Sequence, residues 1–299
     1  MESLEEVKEK YKLSQEEHDA IFNQIVELYL YDKFPVESPK AIVNIAPPAS
    51  GKTGLNGFSA NQFPDNNVII INSDELKSFH PKVNEIAKKY PNYYTKVTDQ
   101  ESNTWTSDFF DKLLRERYNV IFEGTGKNAR ILQTIKDKMQ GYNVIVRGMA
   151  VNELNCLMSI LERYENQLRT RGFGRLVVLD HFYETYVNMP NTVDEIEKSG
   201  VADKVEIYKR GITPATPQLI YRSTSDLKRF PNAKSAVLEG RMEDYSEAEN
   251  KFEEFRRNMQ ILLSNRQVDQ AEKEILLKIL EIQEIKKNEK NKNVCITLE

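Results

Sequence analysis

Eight consecutive residues, Ala46-Pro47-Pro48-Ala49-Ser50-Gly51-Lys52-Thr53, have the types and order needed to hold a polyphosphate. Gly51 has no Cβ, so the backbone can approach an anion, while successive N–H groups and the positive end of the following helix cradle its oxygens. In such a loop Lys52 reaches the β- and γ-phosphates and the Thr53 hydroxyl ligates magnesium. The pattern G-x-x-x-x-G-K-[ST] is met everywhere except at its first glycine, where Ala46 stands. The alternative is an ordinary turn before a helix, but the apolar run Ala41-Ile-Val-Asn-Ile-Ala46 and the spacing to Gly51 both fit a strand entering a P-loop.

Two carboxylates stand at corresponding points further on. Asp74 follows the apolar run Val68-Ile-Ile-Ile71, and Glu123 follows Asn119-Val-Ile-Phe122. Phosphoryl transfer needs a nucleotide cradle, a magnesium ion and a carboxylate that takes the proton of an attacking hydroxyl. Asp74 and Glu123 are the candidates, although Asp74 also reads as a helix cap, with Ser73 as an equal cap, and Glu123 as a turn residue. Charge developing on a transferred phosphate calls for guanidinium groups on a mobile lid. Arg163 and the loop cluster Arg169, Arg171 and Arg175, around Gly172-Phe-Gly174, suit that role; a solvated helix face and loop is the plainer reading.

The elements that must position these residues are legible as hydrophobic periodicity. Residues 1–33 read as two helices, with Ser14 and Glu17 as a capping box ahead of Ile21, Ile25, Val26 and Leu28. Strands are expected at 41–46, 68–71, 119–122, about 143–151 and 204–209, with a short sixth near Leu219–Tyr221. Between them, a helix opens at a Thr98/Glu101 capping box and buries Trp105, Phe109 and Leu113, and another buries Ile131, Leu132, Ile135 and Met139. The helix from 153 to about 169 turns Leu154, Leu157, Met158 and Leu161 inward, which leaves Arg163 on the opposite side. A helix from about Leu176 to Asn188 should end before Pro190, and a second capping box, Thr192 with Glu195, should open another that stops at Gly200. The charged stretch from Tyr245 to about Lys290 reads as a helical pair with Phe252, Phe255, Met259 and Leu262, then Ile275, Leu276, Ile279 and Ile282, as apolar stripes.

This alternation gives an α/β fold of P-loop kinase type: a central parallel five-stranded sheet flanked by helices, with N-terminal helices and a C-terminal helical extension. The expected division is a kinase domain at 1–240, including N-terminal helices at 1–33 and a lid region at about 153–190, followed by an extension at 241–299. At 299 residues, 39% hydrophobic and 29% charged, the chain can bury a sizeable core, and its apolar runs fall short of the ~18 residues that span a bilayer. Two cysteines and three histidines argue against a disulfide framework or structural zinc, and no signal-like N-terminal segment is present, so a cytoplasmic location is expected. A net charge of −4 with interspersed signs offers no stripe for nucleic acid or membrane.

In order and approximate spacing, Val36-Glu-Ser-Pro39, the loop at 46–53, Asn72-Ser-Asp74, Tyr118-Asn-Val-Ile-Phe-Glu123-Gly-Thr-Gly126, Met149-Ala-Val151 and Glu162-Arg163-Tyr164-Glu165 resemble the zeta toxins. These are the kinase components of bacterial epsilon/zeta toxin–antitoxin systems, and the similarity spans roughly residues 20–210. The resemblance implies an ATP- and Mg2+-dependent kinase that phosphorylates the 3′-hydroxyl of UDP-N-acetylglucosamine and so blocks cell-wall synthesis. It further implies a small helical antitoxin as partner. By position it makes residues 46–53 the ATP loop with Lys52 catalytic, Asp74 the base, and Glu123, Thr125 and Lys127 contacts to the acceptor. Arg163 is then the first lid arginine. The second is Arg175, six residues before His181 as in the family, or Arg171, since the loop here is one residue shorter. Lys127 stands where the family usually has arginine, which keeps the charge and loses a bidentate fork. Two other readings keep parts of this picture: a kinase of another hydroxyl-bearing metabolite or antibiotic, and a non-catalytic nucleotide-binding module that recruits a partner through its C-terminal helices.

Overall fold

Short β-branched runs form the centre of the molecule and amphipathic helices cover both of its faces. The computed structural model describes residues 2–91, 93–213, 215–225, 229–243, 245–263 and 267–296, without the side chains of 246–247, 262–263 and 286–296. Two helices, α1 (Leu4–Tyr11) and α2 (Gln15–Leu30), precede β1 (Lys40–Ile45) and the P-loop helix α3 (Lys52–Ala60). Next come β2 (Ile69–Ile71), the one-turn α4 (Ser73–Leu76), α5 (Val83–Lys89), α6 (Tyr94–Arg115), β3 (Val120–Gly124), α7 (Arg130–Lys138) and β4 (Asn143–Met149). The long α8 (Glu153–Arg171) and α9 (Leu179–Ser199) lead to β5 (Lys204–Lys209) and β6 (Gln218–Arg222). The described chain closes with α10 (Ala233–Glu243), α11 (Tyr245–Leu263) and α12 (Gln270–Ile296).

The sheet order is β2-β3-β1-β4-β5-β6. Five strands are parallel, as expected, and β6 adds an antiparallel edge beside β5. Register sets the site: Ile45 pairs with both Gly124 and Gly148, and Ile71 pairs with Phe122, so the carboxyl ends of β1, β2 and β3 reach one edge together. Strand order reverses beside β1, the point where open α/β sheets bind ligands. Below that edge, Trp105, Phe109 and Leu113 of α6 and Val193 and Ile196 of α9 are fully or almost fully buried in one core, each contributing about 1.5–3 kcal/mol. A second core joins Ala46 and Leu55 of the P-loop region to Leu157 and Leu161 of α8, Phe255 and Met259 of α11, and Ile275 and Ile279 of α12. The C-terminal helices therefore pack in the same core as the P-loop. Leu262 of the expected stripe lies outside the described side chains.

Several local expectations are corrected. The Ser14/Glu17 capping box forms, but Leu28 of α2 is exposed rather than inward. Helix α6 starts at Tyr94, four residues before the expected cap, because Tyr94 and Val97 pack with Val7, Tyr11 and Ile86 of α1 and α5. Thr98 consequently lies inside the helix, its hydroxyl donating to the Tyr94 carbonyl at 2.8 Å, and Glu101 pairs with His18. Pro190 does not end a helix, and there is no second cap at Thr192: α9 runs through both. A proline in a helix leaves the carbonyl four residues back without its donor. Here that carbonyl, of Tyr186, accepts instead from the Arg241 guanidinium at 2.8 Å, while the Thr192 hydroxyl donates to the Gly126 carbonyl at 2.8 Å.

Candidate active site

The P-loop is built around two residues in the left-handed region, Ala49 with φ 58° and Gly51 with φ 107°. Glycine enters that region freely, whereas Ala49 costs about 1–2 kcal/mol and needs support. Arg210, at the end of β5, supplies it: the guanidinium donates to the carbonyls of Ala49 and Ser50, the latter at 3.3 Å, and to the Ser159 hydroxyl of α8 at 3.1 Å. The Ser50 hydroxyl closes the loop on the Pro47 carbonyl at 2.8 Å. Pro48, Ala49, Gly51, Lys52 and Thr53 line a cleft of about 680 Å³, and the buried Ala46, Pro47 and Ser50 do not.

Asp74, Glu123, Thr125, Arg163 and Arg175 line the same cleft. Asp74 is not a helix cap. The Asn72 carboxamide caps α4, accepting from the Asp74 N–H at 3.0 Å, which leaves the Asp74 carboxylate for other work. Its Oδ1 accepts from Lys77 at 2.7 Å and from Arg175; among the described residues no hydrogen bond reaches Oδ2. Burial opposes ionisation of Asp74, yet Arg175 and Lys77 outweigh it and hold the carboxyl below its usual value. Glu123 moves the other way: burial pushes it up, against the pull of Lys52 and of the Asn56 carboxamide, which donates to its Oε1. Asn56 is held by Asn44 at 2.7 Å, and Asn72 reaches Glu123 Oε1 at 3.5 Å. Burial also lowers the Lys52 ammonium, Glu123 and Asp74 opposing it and Arg163 and Arg175 adding to it. Lys52 makes no ion pair among the described residues. Two acids and a lysine displaced from their ordinary values in one cleft make it the candidate active site.

The lid arginines separate clearly. Arg163, on the face of α8 opposite its buried stripe, and Arg175, in the α8–α9 loop with its N–H on Gln167 at 2.8 Å, face the cleft. Arg171 does not line it; this side chain faces two neighbouring pockets beside Tyr29 and Tyr94. Arg169 turns to Asn166 at 2.9 Å. Lys127 also lies off the cleft, 3.4 Å from Glu184. Its neighbour Gly126 is obligatory, since at φ 70° a Cβ there would lie 2.4 Å from Ile45 Cγ2. Thr53 is exposed at the first turn of α3, and its hydroxyl makes no hydrogen bond among the described residues. Magnesium uses few protein oxygens and keeps phosphate and water ligands, so one free hydroxyl beside a phosphate cradle fits it. No group of three or more His, Cys, Asp or Glu among the described residues could hold a metal unaided.

Several residues on the cleft carried no sequence signal of function: Asn103, Thr106 and Ser107 of α6, Lys138 of α7 and Ser159. His181, the landmark that selects Arg175 in the family resemblance, also lines it. Burial lowers the His181 imidazole, with Lys127 and Arg175 adding to the effect. Asn56 and Arg210 hold the cleft's shape from long sequence separations, which no local pattern reveals. Lys77 alone was findable, three residues after Asp74 on one helical turn.

The zeta toxin family model matches residues 26–225, two thirds of the chain and every cleft residue named above. The chain belongs to the zeta toxin family. It is 30% identical over 193 residues to toxin zeta of Streptococcus pyogenes, covering 63% of this chain and 66% of that protein, just under two thirds of the relative. Toxin PezT of Streptococcus pneumoniae serotype 4 is 24% identical over 179 residues, 58% of this chain and 70% of that one. A solved structure from the PezAT chromosomal toxin–antitoxin system of Streptococcus pneumoniae has the same fold, with a TM-score of 0.67 at 19% identity over 83% of this chain and 98% of its own. The helices α11 and α12 lie beyond the family match.

Proposed function

We propose that this chain is an ATP-dependent kinase toxin that phosphorylates the 3′-hydroxyl of UDP-N-acetylglucosamine and so blocks cell-wall synthesis. The observation that carries the reading is the convergence of Lys52, Asp74 and Glu123 on one cleft, with no hydrogen bond to Asp74 Oδ2 among the described residues. Thr53 would hold a magnesium ion, which would bridge the bound nucleotide to the protein and offset its phosphate charge, and ATP would be the phosphoryl donor. Lys52 and the P-loop N–H groups hold the donor phosphates. Arg163, and Arg175 once it leaves Asp74, neutralise charge on the transferring group. Asp74 takes the acceptor proton at Oδ2, and Glu123, fixed by Asn56 and Asn72, orients the sugar with Thr125. A carboxylate of lowered pKa suffices, because in a loose transition state the acceptor proton leaves late.

Residues 1–240 form the kinase on this reading, and the helices of 241–299 buttress the lid through the packing of α11 and α12 on α8. The structural relative comes from a toxin–antitoxin system, which supports an antitoxin protein as a partner; on this reading the antitoxin is small and helical and covers the cleft in the bacterial cytoplasm. No helix among the described residues is long and apolar enough to cross a membrane. One observation favours a second acceptor: Lys127, expected on the sugar, is engaged by Glu184 away from the cleft, which suits a kinase of another hydroxyl-bearing metabolite.

Incubation with ATP and a panel of hydroxyl acceptors separates the two by mass. Phosphorylated UDP-N-acetylglucosamine is the expected product; transfer only to another acceptor overturns the substrate, and no transfer to any overturns the kinase. Asp74→Asn should lower transfer by about 10²- to 10⁴-fold while ATP affinity stays close to that of the parent.

A further inference from the structure

Lys77 has a use that neither the nucleotide loop nor the lid explains. It begins the 3-10 turn after α4, three residues beyond Asp74, and its side chain is only 7% exposed. Burying an ammonium is unfavourable unless it is paired, and this one is paired twice, with Asp74 Oδ1 at 2.7 Å and with Asp99 Oδ1 of α6 at 2.6 Å. Asp74 itself is half exposed, at 52%. The other cation on Oδ1, Arg175, belongs to the loop between α8 and α9, whereas Lys77 and Asp99 are anchored on packed helical turns.

We infer that Lys77 is the positioning residue of the Asp74 carboxylate: clamped by Asp99, it holds Oδ1 so that Oδ2 stays ionised and aimed into the cleft wherever the lid arginine is. The inference rests on the kinase reading for its purpose, and on geometry alone for the clamp. When Arg175 moves to a phosphate, Asp74 keeps one fixed counter-charge. The other charged groups near it are Lys52 and Arg163 across the cleft and Arg171 and Lys88 on the outer pockets that Asp74 also lines, which favour its anion, and Glu123, Glu75 beside it in sequence and Asp99 behind Lys77, which oppose it. Three opposing acids make the persistent cation consequential. Lys77 acts through Asp74, and the lid-independent part of Asp74's ionisation is its signature.

The test follows the Asp74 carboxyl in ligand-free full-length protein labelled with 13C-aspartate, its resonance assigned by loss in Asp74→Asn. Lys77→Met should raise the Asp74 titration midpoint by about one pH unit or more, and Lys77→Arg should restore it. Asp99→Asn keeps an oxygen for the ammonium while removing a negative charge, so it should move the midpoint down. The acidic limb of kcat should follow the same two directions, with KM for ATP unchanged. A parental midpoint in folded Lys77→Met, or a shift of the same sign in Lys77→Met and Asp99→Asn, overturns the clamp. If Lys77→Met does not fold, Asp99→Asn alone decides, and an unchanged or raised midpoint overturns it. Because the titration needs no turnover, failure of the kinase reading shows separately, as a parent protein that transfers phosphate to no acceptor.

Discussion

Helix α3 carries a cluster of charge at each end, and the two are built on opposite plans. Near its last turn, Arg147 of β4 and Glu206 of β5 are each 2% exposed and fully engaged. Arg147 donates to Glu206 at 3.0 Å, to Ser59 at 2.6 Å and to Gln62 at 2.6 Å, and lies over the rings of Phe58 and Tyr208. Glu206 also accepts from Tyr208 and Arg222, both at 2.9 Å. At the first turn, Lys52 makes no ion pair among the described residues, Glu123 is pushed up and Asp74 is held down at one oxygen. A closed network fixes structure because every desolvated group has recovered its hydrogen bonds. An open one stores unmet electrostatic demand, which a phosphate group and a hydroxyl can satisfy.

The sharpest way to break the comparison is Arg147→Met. It should lower stability by up to about 3–5 kcal/mol, because the buried Glu206 then keeps only Tyr208 and the part-exposed Arg222 to offset its charge. Burial already opposes Glu206 ionisation, and Arg147 foremost, with Tyr208 and Arg222, overcomes that and keeps its pKa low. The parent's contribution from this group is present above the ordinary glutamate value and is lost as pH falls through the folded pKa. Denaturant midpoints compared with Arg147→Met/Glu206→Leu should recover part of the loss. A single variant as stable as the parent would show that the closed end of α3 is ornamental.

The two ends also differ in what a reader of the sequence can see. The open end announces itself, because phosphate cradles need glycine, lysine and threonine at fixed offsets and because Asp74 and Glu123 follow apolar strands. Parallel register then brings them together, Ile45 with Gly124 and Ile71 with Phe122. The closed end is silent: an arginine inside β4 and a glutamate inside β5 have no local meaning until β4 and β5 pair Arg147 with Glu206. The same holds for Pro190, where Arg241 serves the Tyr186 carbonyl from 55 residues away and α9 runs on. Local rules gave a break there, and a tertiary hydrogen bond takes up the freed carbonyl. Arg210 under Ala49 is a third case, 161 residues distant.

Glu123→Gln tests the open end from the stability side and should have a smaller effect of the opposite sign. The Glu123 pKa is raised in the folded protein, by burial first, so its charged form at neutral pH opposes folding. The amide should therefore raise the melting temperature at pH 7. As pH falls, folded Glu123 protonates before the unfolded chain does, and the advantage should shrink to nothing by the ordinary glutamate value of about 4.3. Thermal melts at pH 7, 6, 5 and 4 measure this. A variant less stable than the parent at pH 7 would mean that Asn56 and Asn72 already satisfy Glu123 and that the cleft stores no strain there.

The smallest expected effect belongs to Arg171, one of two arginines four residues apart that fall on different sides of the boundary drawn by the cleft. Arg175 contacts Asp74 and lines the cleft, so Arg175→Ala should lower phosphoryl transfer by about 10²- to 10³-fold, the scale on which one donor to a developing anion acts. Arg171 ends α8 and faces the outer pockets with Tyr29 and Tyr94, so Arg171→Ala should change transfer and ATP affinity by less than about twofold, as expected of an exposed charge beyond contact with the reacting atoms. The comparison is internal, since both variants lose the same charge from neighbouring positions and bulk electrostatics cancels. If Arg171→Ala proves as damaging as Arg175→Ala, the loop between α8 and α9 rearranges on nucleotide binding far enough to carry Arg171 inward, and the open end of α3 extends beyond the side chains that line it without ligand.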